Sequence, residues 1–280
     1  MAQSSPVDRP TYSCENCCGY RFCLLSRLNR ELRDTLSSQL SQQRLLRKGE
    51  KLYTPGSDFD GLYIIKSGSF KSAYSDTSGD QQVIGFYFPT QLLGIDGIES
   101  QAYRYDVEAL ETSTVCPLPY PRSGSWSEAM KVELLQQILV ESSRQSFQDS
   151  CWLLVVGRLK ADQRLARFLL TLSQQMEMLG RSGREFPLTM PRHDIANHLG
   201  IANETVSRLF KRFEDNGWIF ARRRWVQISN RAALLELLEN ENTPPLLPVS
   251  GIPKTTAYAA LTPRIGDAGK PPSQQARQRI

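Results

Sequence analysis

Four of the six cysteines in this chain fall within ten residues, as Cys14, Cys17, Cys18 and Cys23. The thiolate is the form of cysteine that attacks, oxidises or binds metal, so this cluster is where chemistry is to be expected. Residues 1–13 ahead of it are polar and include Pro6 and Pro10, which places the cluster on a loop and not inside an apolar run. Thiolates in a short loop hold zinc, typically four to a metal, or an iron–sulfur cluster. The spacing Cys14-x2-Cys17-x5-Cys23 supplies three ligands. Cys18, adjacent to Cys17, cannot easily share the same centre without strain, so a fourth ligand must come from elsewhere. Cys116, read as ending a strand over residues 109–115, is the natural remote candidate. A structural zinc site usually shows two paired CxxC knuckles, and this segment carries one. Cys151, beside Trp152 and Leu153, reads as a buried structural thiol.

A second constellation lies in residues 191–213. Pro191 suits a first helical turn, where a backbone N–H has no partner anyway. Ile195, Ala196 and Leu199 recur at helical spacing and Gly200 supplies a sharp turn. A second helix then buries Ile201, Thr205 or Val206, Leu209 and Phe213 on one side. Its other side carries Glu204, Ser207 and Arg208, which project together at i, i+3 and i+4. This is a helix-turn-helix with a recognition helix. Arg donates twice to guanine, Glu accepts from cytosine and Ser serves several base edges. Glu204 and Arg208 one turn apart also suit an ordinary surface ion pair. Lys211 and Arg212 continue the polar side, and residues 217–228 read as a hairpin with an arginine tip at 222–224, a phosphate clamp beside the recognition helix.

The remaining segments must position these two constellations. Leu24, Leu25, Leu28, Leu32 and Leu40 form a helical lead-in. Residues 48–115 then alternate short apolar segments with Gly, Pro and Asp turns, the pattern of an antiparallel barrel or jelly roll. From Trp126, Gly and Pro vanish until Gly157. Leu135, Leu139, Ser142, Ser146, Asp149 and Leu153 follow a 4-3-4-3-4 seam, apolar at its ends and polar in the middle, which reads as a marginal dimer interface or as positions facing solvent. Leu165, Phe168, Leu169 and Leu172 mark another amphipathic helix, and Gly180–Gly183 a hinge. The expected architecture is α+β: a Cys-rich segment (1–23), a β-roll sensor domain (24–125), a dimerisation helix (126–157), a winged helix-turn-helix (158–240) and a disordered basic, Pro-rich tail (241–280). Net charge is +5, with eight Arg/Lys against five Asp/Glu over residues 185–231 and five against one over 243–280, so the basic end is the C-terminal third, as a polyanion-binding module requires. No apolar run approaches a membrane span and no signal-peptide core opens the chain, so a cytoplasmic location is expected. His193 and His198 sit in the first DNA-domain helix, away from any nucleophile, which argues against an enzyme.

A Gly-punctuated roll, a long helix and a C-terminal helix-turn-helix together resemble the CRP/FNR superfamily of transcription regulators. Within it, the chain resembles the oxygen-sensing FNR/Anr branch over about residues 12–240, most specifically in Cys14-x2-Cys17-x5-Cys23 and in Cys116 of the stretch 110–116. The resemblance implies a double-stranded β-helix of the cyclic-nucleotide-binding type. It also implies an oxygen-labile 4Fe-4S cluster on Cys14, Cys17, Cys23 and Cys116, and a homodimer when the cluster is loaded. Glu204, Ser207 and Arg208 would read TTGAT-type palindromic half-sites, RNA polymerase would be a partner, and the main role would be activation in anaerobic metabolism. Two alternatives stay open on the same scaffold: a thiol, disulfide or zinc switch, and a cyclic-nucleotide receptor. Receptor sites resemble Gly-Glu…Arg-Ser/Thr, whereas here Ile95 replaces the Glu and Tyr105 follows Arg104, leaving Asp96 or Glu99 as substitutes.

Overall fold

The computed structural model describes residues 14, 17, 19–40, 42–76, 78–120 and 126–238. Expectations for Cys18, residues 1–13 and the tail 241–280 lie outside the described residues. After Cys23 the lead-in is a 3-10 turn, Leu24–Arg27, followed by α1 (Arg30–Leu40). Two four-stranded antiparallel sheets follow. One has the order β1 (Arg44–Leu46), β8 (Ser113–Leu118), β3 (Leu62–Ser67), β6 (Leu92–Leu93). The other runs β2 (Lys51–Tyr53), β7 (Asp106–Ala109), β4 (Phe70–Ser75), β5 (Gln81–Tyr87). This is the expected jelly roll, with a single-turn helix α2 (Gly97–Ser100) between β6 and β7. Leu62, Ile65, Phe70, Val107, Val115 and Leu118 pack its interior.

Residues 109–115 are not one strand. Ala109 ends β7, the chain bends over 110–112, and β8 begins at Ser113, so Cys116 lies within a strand and pairs with Ile64. The bend is held by Leu110 N–H donating to Ser69 O (2.9 Å). It crowds against Gly68 (φ 83), where a Cβ would fall 2.1 Å from Ser113 Oγ, so only glycine fits. Leu62 to Ile65 are all buried, not alternating, because the outer face of this sheet is covered by α1 and the lead-in.

Helix α3 (Glu128–Arg158) runs 31 residues, started by Ser127, whose Oγ accepts from Met130 N–H at 3.3 Å. Its inner face buries Leu134, Ile138, Glu141 and Val155. Helix α4 (Ala161–Met178), β9 (Glu185–Pro187), α5 (Arg192–Leu199), α6 (Asn203–Asp215), the hairpin β10 (Ile219–Arg222) and β11 (Trp225–Ile228), and α7 (Arg231–Glu236) complete the chain. Leu165, Leu169, Phe186, Ile195, Leu199, Val206, Phe213 and Val226 form their common core, which runs on into Phe88 and Leu110 of the roll. Among the described residues no helix is long and apolar enough to cross a membrane.

Candidate metal centre and nucleic-acid interface

The alternation of β8 points Val115 into the roll and leaves Cys116 half-buried on the other face, toward the N-terminal segment. That segment winds tightly: Cys17 N–H donates to Cys14 O (3.0 Å), Tyr20 N–H to Cys17 O (2.9 Å) and Cys23 N–H to Gly19 O (3.1 Å). A Cβ on Gly19 would stand 3.0 Å from Thr90 Cγ2, so a small residue is needed where the coil meets the roll. Arg33 of α1 donates to Tyr20 Oη and holds the coil from the other side. Cys14, Cys17, Cys23 and Cys116 are thereby brought into one region. Burial pushes the Cys23 thiol up to about 12, reinforced by the fields of Cys116, Cys14 and Cys17. Burial pushes Cys116 up to about 11, with Cys14 and Cys17 adding and Lys66 opposing. Cys14 is raised by burial and by Cys17. Thiols with values this high stay protonated near neutral pH unless a cation takes the protons' place. Four sulfurs in mutual electrostatic reach make a donor set that suits either zinc or an iron–sulfur cluster. Among the described residues no three His, Cys, Asp or Glu side chains converge as a ready single-ion site.

The lead-in after Cys23 is stapled along α3. Leu24, Leu25 and Leu28 share a core with Leu134 and Ile138. Arg27 Nη1 reaches Glu141 Oε1 at 3.2 Å, and Asn29 N–H donates to Glu133 Oε1 at 2.6 Å. Glu141 is 5 % exposed and takes a second arginine, Arg144. The sequence pattern gave no hint of this buried carboxylate, because Glu141 falls between the positions of the expected seam.

The seam itself divides. Leu135, Leu139 and Leu153 are exposed at 38 %, 69 % and 74 %. Ser142, Ser146 and Asp149 instead line a cavity of about 270 Å³ between α3 and the roll. The middle of the seam is polar because it faces this cavity. Val132, Phe147 and Leu154 are further exposed apolar residues outside the seam. The cavity is also lined by Asp96, Tyr53, Tyr87 and Tyr105, and among the described residues no Lys, Arg or His lines it. Arg104 is held at the surface by Glu99. A cyclic phosphate here would meet two carboxylates and no cation, so the cavity chemistry opposes a nucleotide ligand.

In the C-terminal domain Pro191 is the cap one residue before α5, and Gly200 takes the left-handed conformation (φ 64) that turns the chain into α6. Val206, Leu209, Phe210 and Phe213 are buried, while Glu204, Ser207, Arg208, Lys211 and Arg212 are all exposed. Arg208 donates to Thr205 Oγ1 (3.3 Å), and among the described residues no ion pair joins it to Glu204. Arg212 is engaged by Asp162 of α4 at 2.7 Å. Arg192 lies over the Phe210 ring, 3.0 Å from its centroid, and burial brings it down to about 10.

Sequence reading missed the seat of α5 on the roll. Asn197 caps the edge strand β5, accepting from Val83 N–H (2.5 Å) and donating to Gln81 O (2.6 Å). Lys71 of β4 is 3.0 Å from Asp194 Oδ2, their side chains 10 % and 6 % exposed. His198 Nδ1–H donates to Val83 O (3.3 Å), and its ring stacks on Trp152 of α3 at 4.3 Å. Burial lowers His198 to about 4, so it sits there neutral.

A jelly roll closed by a long helix and followed by a winged helix-turn-helix with an exposed polar reading face defines a DNA-binding transcription regulator of the CRP/FNR superfamily. Residues 43–122 match the cyclic nucleotide-binding domain family and residues 163–237 the Crp-like helix-turn-helix domain family. Among solved structures the fold is similar to FixK2 from Bradyrhizobium japonicum (TM-score 0.62, 23% identity, 70% of this chain and 96% of that one). It is also similar to the c-di-GMP responsive regulator CLP of Xanthomonas campestris (TM-score 0.58, 19% identity, 71% and 99%). The chain is 35% identical over 228 residues to the transcriptional activator protein anr of Pseudomonas aeruginosa, covering 81% of this chain and 93% of that protein. It is 35% identical over 224 residues to the fumarate and nitrate reduction regulatory protein of Escherichia coli K12 (80% and 89%). The chain belongs to the FNR/Anr family.

Proposed function

We propose that this regulator is an activator switched by a 4Fe-4S cluster on Cys14, Cys17, Cys23 and Cys116, and that it acts in the cytoplasm on palindromic TTGAT-type sites together with RNA polymerase. The observation that carries the reading is the gathering of three thiols from the N-terminal coil and one from β8, where Cys23 feels the fields of the other three and Cys116 those of Cys14 and Cys17. Zinc on the same four thiolates is the competing occupant, which metal analysis separates from iron. When bound, the cluster supplies an oxygen-labile cross-link between the coil and β8.

The chain's own residues do the rest. Cys23 opens the lead-in, whose Arg27 and Asn29 grip Glu141 and Glu133, so fixing the coil fixes how α3 lies on the roll. The exposed stripe of α3, Leu135, Leu139 and Leu153, pairs with a second copy. Ser142, Ser146 and Asp149 border the cavity and add no apolar area to that stripe, which leaves the interface marginal and sensitive to a small bias: ~1.4 kcal/mol changes the dimer constant tenfold. Two recognition helices one DNA turn apart then meet a palindrome, with Glu204, Ser207 and Arg208 toward bases and Lys211 toward phosphate. Arg212 contributes to phosphate contact only by leaving Asp162.

Iron and sulfide analysis of anaerobically purified protein, paired with its mass in solution before and after air, tests this. About four iron per chain and a dimer that dissociates in air are expected. Zinc, or a dimer that survives complete removal of iron by chelators, refutes it. Ser at Cys14, Cys17, Cys23 or Cys116 abolishes iron binding; Ser at Cys18 or Cys151 leaves it.

A further inference from the structure

Cys116 shares the outer face of its sheet with a cation. Its strand β8 lies between β3 and β1. Ile64 of β3 pairs with Cys116, and Arg44 of β1 pairs with Val115, which sets Gln43 beside Cys116 on the other flank. The β3–β8 register then slips: Ile65 pairs with Val115 and Ser67 with Thr114, so Lys66 is the extra residue of a β-bulge. A bulge re-aims a side chain, and here it turns Lys66 across the sheet, where Nζ donates to Gln43 Oε1 at 2.9 Å. β1 and β3 stand two inter-strand spacings apart, about 9.6 Å, with β8 in the middle. A hydrogen bond from one to the other has to pass over β8, on the face where Thr114 and Cys116 project. The ammonium is therefore held over β8, on the thiol's own face and half-buried with it.

A second cation approaches from the coil. Arg33 of α1 donates to Tyr20 Oη, and its guanidinium lies 5.8 Å from the centre of the Tyr20 ring, between Cys17 and Cys23 in the chain. The field of Lys66 reaches both Cys14 and Cys116, and that of Arg33 reaches Cys14, each favouring the thiolate against burial. Four thiolates bring four negative charges, and a divalent ion, or a cluster core of the same charge, cancels only two of them. The loaded centre thus keeps net negative charge in a place partly closed to water, where uncompensated charge is costly. Two cations at its rim match that remainder.

We propose that Lys66 is the counter-ion of the Cys14 and Cys116 side of the centre, and that its positive charge, more than its bond to Gln43, keeps metal on the thiolates. The inference rests on the four-thiolate reading above, and it holds for iron or zinc alike because both leave the same net charge. At an effective dielectric of about 20, one charge within a few ångströms of the site changes metal affinity by roughly tenfold or more.

The test uses full-length apo-protein with reduced thiols under nitrogen, titrated with cobalt(II), whose thiolate absorption reports binding. Lys66→Met is expected to bind cobalt roughly tenfold more weakly than wild type, and Lys66→Arg, which keeps the charge, within about twofold of it. Gln43→Leu removes the acceptor and leaves the charge, so it should lose far less than Lys66→Met. In iron-loaded protein, Lys66→Met should also release iron to a chelator several-fold faster. Should Lys66→Met lose its helical circular dichroism, Lys66→Gln makes the same comparison. Equal cobalt affinity and equal iron release in wild type and Lys66→Met overturn the proposal. So does a loss shared equally by Lys66→Met, Lys66→Arg and Gln43→Leu, which would assign Lys66 to bracing β1 against β3. Wild-type protein that holds neither iron nor cobalt refutes the four-thiolate reading itself, and the counter-ion with it.

Discussion

The pair Lys71–Asp194 offers a sharp test of how the DNA-binding domain is seated on the roll. Nζ lies 3.0 Å from Oδ2 and 3.2 Å from Oδ1 of Asp194, with Glu108 Oε2 at 3.7 Å. Lys71→Met leaves the Asp194 carboxylate almost fully buried near Glu108, with no lysine or arginine partner among the described residues. Breaking a buried pair by removing one partner costs about 3–5 kcal/mol, and this variant belongs at that level. Asp194→Asn should be milder, about 1–2 kcal/mol, because Lys71 keeps the charge of Glu108. The double variant Lys71→Met/Asp194→Asn removes both charges and leaves neither partner as an uncompensated buried ion, so it should recover most of the Lys71→Met loss. Urea unfolding of the four proteins gives the coupling, expected to be about 2 kcal/mol or more. Operator affinity should fall in the single variants and recover in the double, since α5 is what the pair holds to β4. Losses that simply add to within ~0.5 kcal/mol would show that the two groups do not depend on each other, and would refute the seat as described.

Other outcomes follow from the same geometry. His198 has a folded pKa of about 4, below the 6.5 of an exposed imidazole, so its stabilising contribution is complete above pH 6.5 and is lost as pH falls from there toward 4. That interval corresponds to about 3 kcal/mol, or about 2 after allowing for the partly open ring edge, and His198→Phe should flatten this part of an acid-unfolding curve. Glu141→Gln should keep the iron content of the wild-type protein yet weaken dimerisation, read by sedimentation under nitrogen; loss of iron instead would place Glu141 in the centre itself. Arg208→Ala should relax selectivity at one base pair by ~1–3 kcal/mol, and an equal loss on every DNA sequence would show that Arg208 touches only phosphate.

Much of this was legible in the chain because the signals are local. The 3.6-residue spacing of Val206, Leu209 and Phe213 left Glu204, Ser207 and Arg208 no face but the exposed one, and Gly200 could only be the turn. The two-residue alternation around the arginine tip likewise specified the hairpin. Cysteine spacing marked Cys14, Cys17 and Cys23 as one group, since residues that close along the chain stay close however it folds. Elsewhere local pattern misled: residues 109–115 have the composition of one strand, and only the fit of Gly68 against Ser113 shows where the chain must bend.

What tertiary structure alone decided are the pairings between residues far apart in sequence. No periodicity tells Cys116 that its open face looks onto the coil, or tells Glu141 that two arginines await it. The same holds for the middle of the α3 seam, which reads as a poor coiled coil until the cavity it lines is seen. Asn197 resembles any polar helix residue until β5 presents an unpaired edge to it. Hydrophobic pattern records which side of an element leaves water, and that is a property of the element by itself; which neighbour it meets there depends on where every other element has already packed.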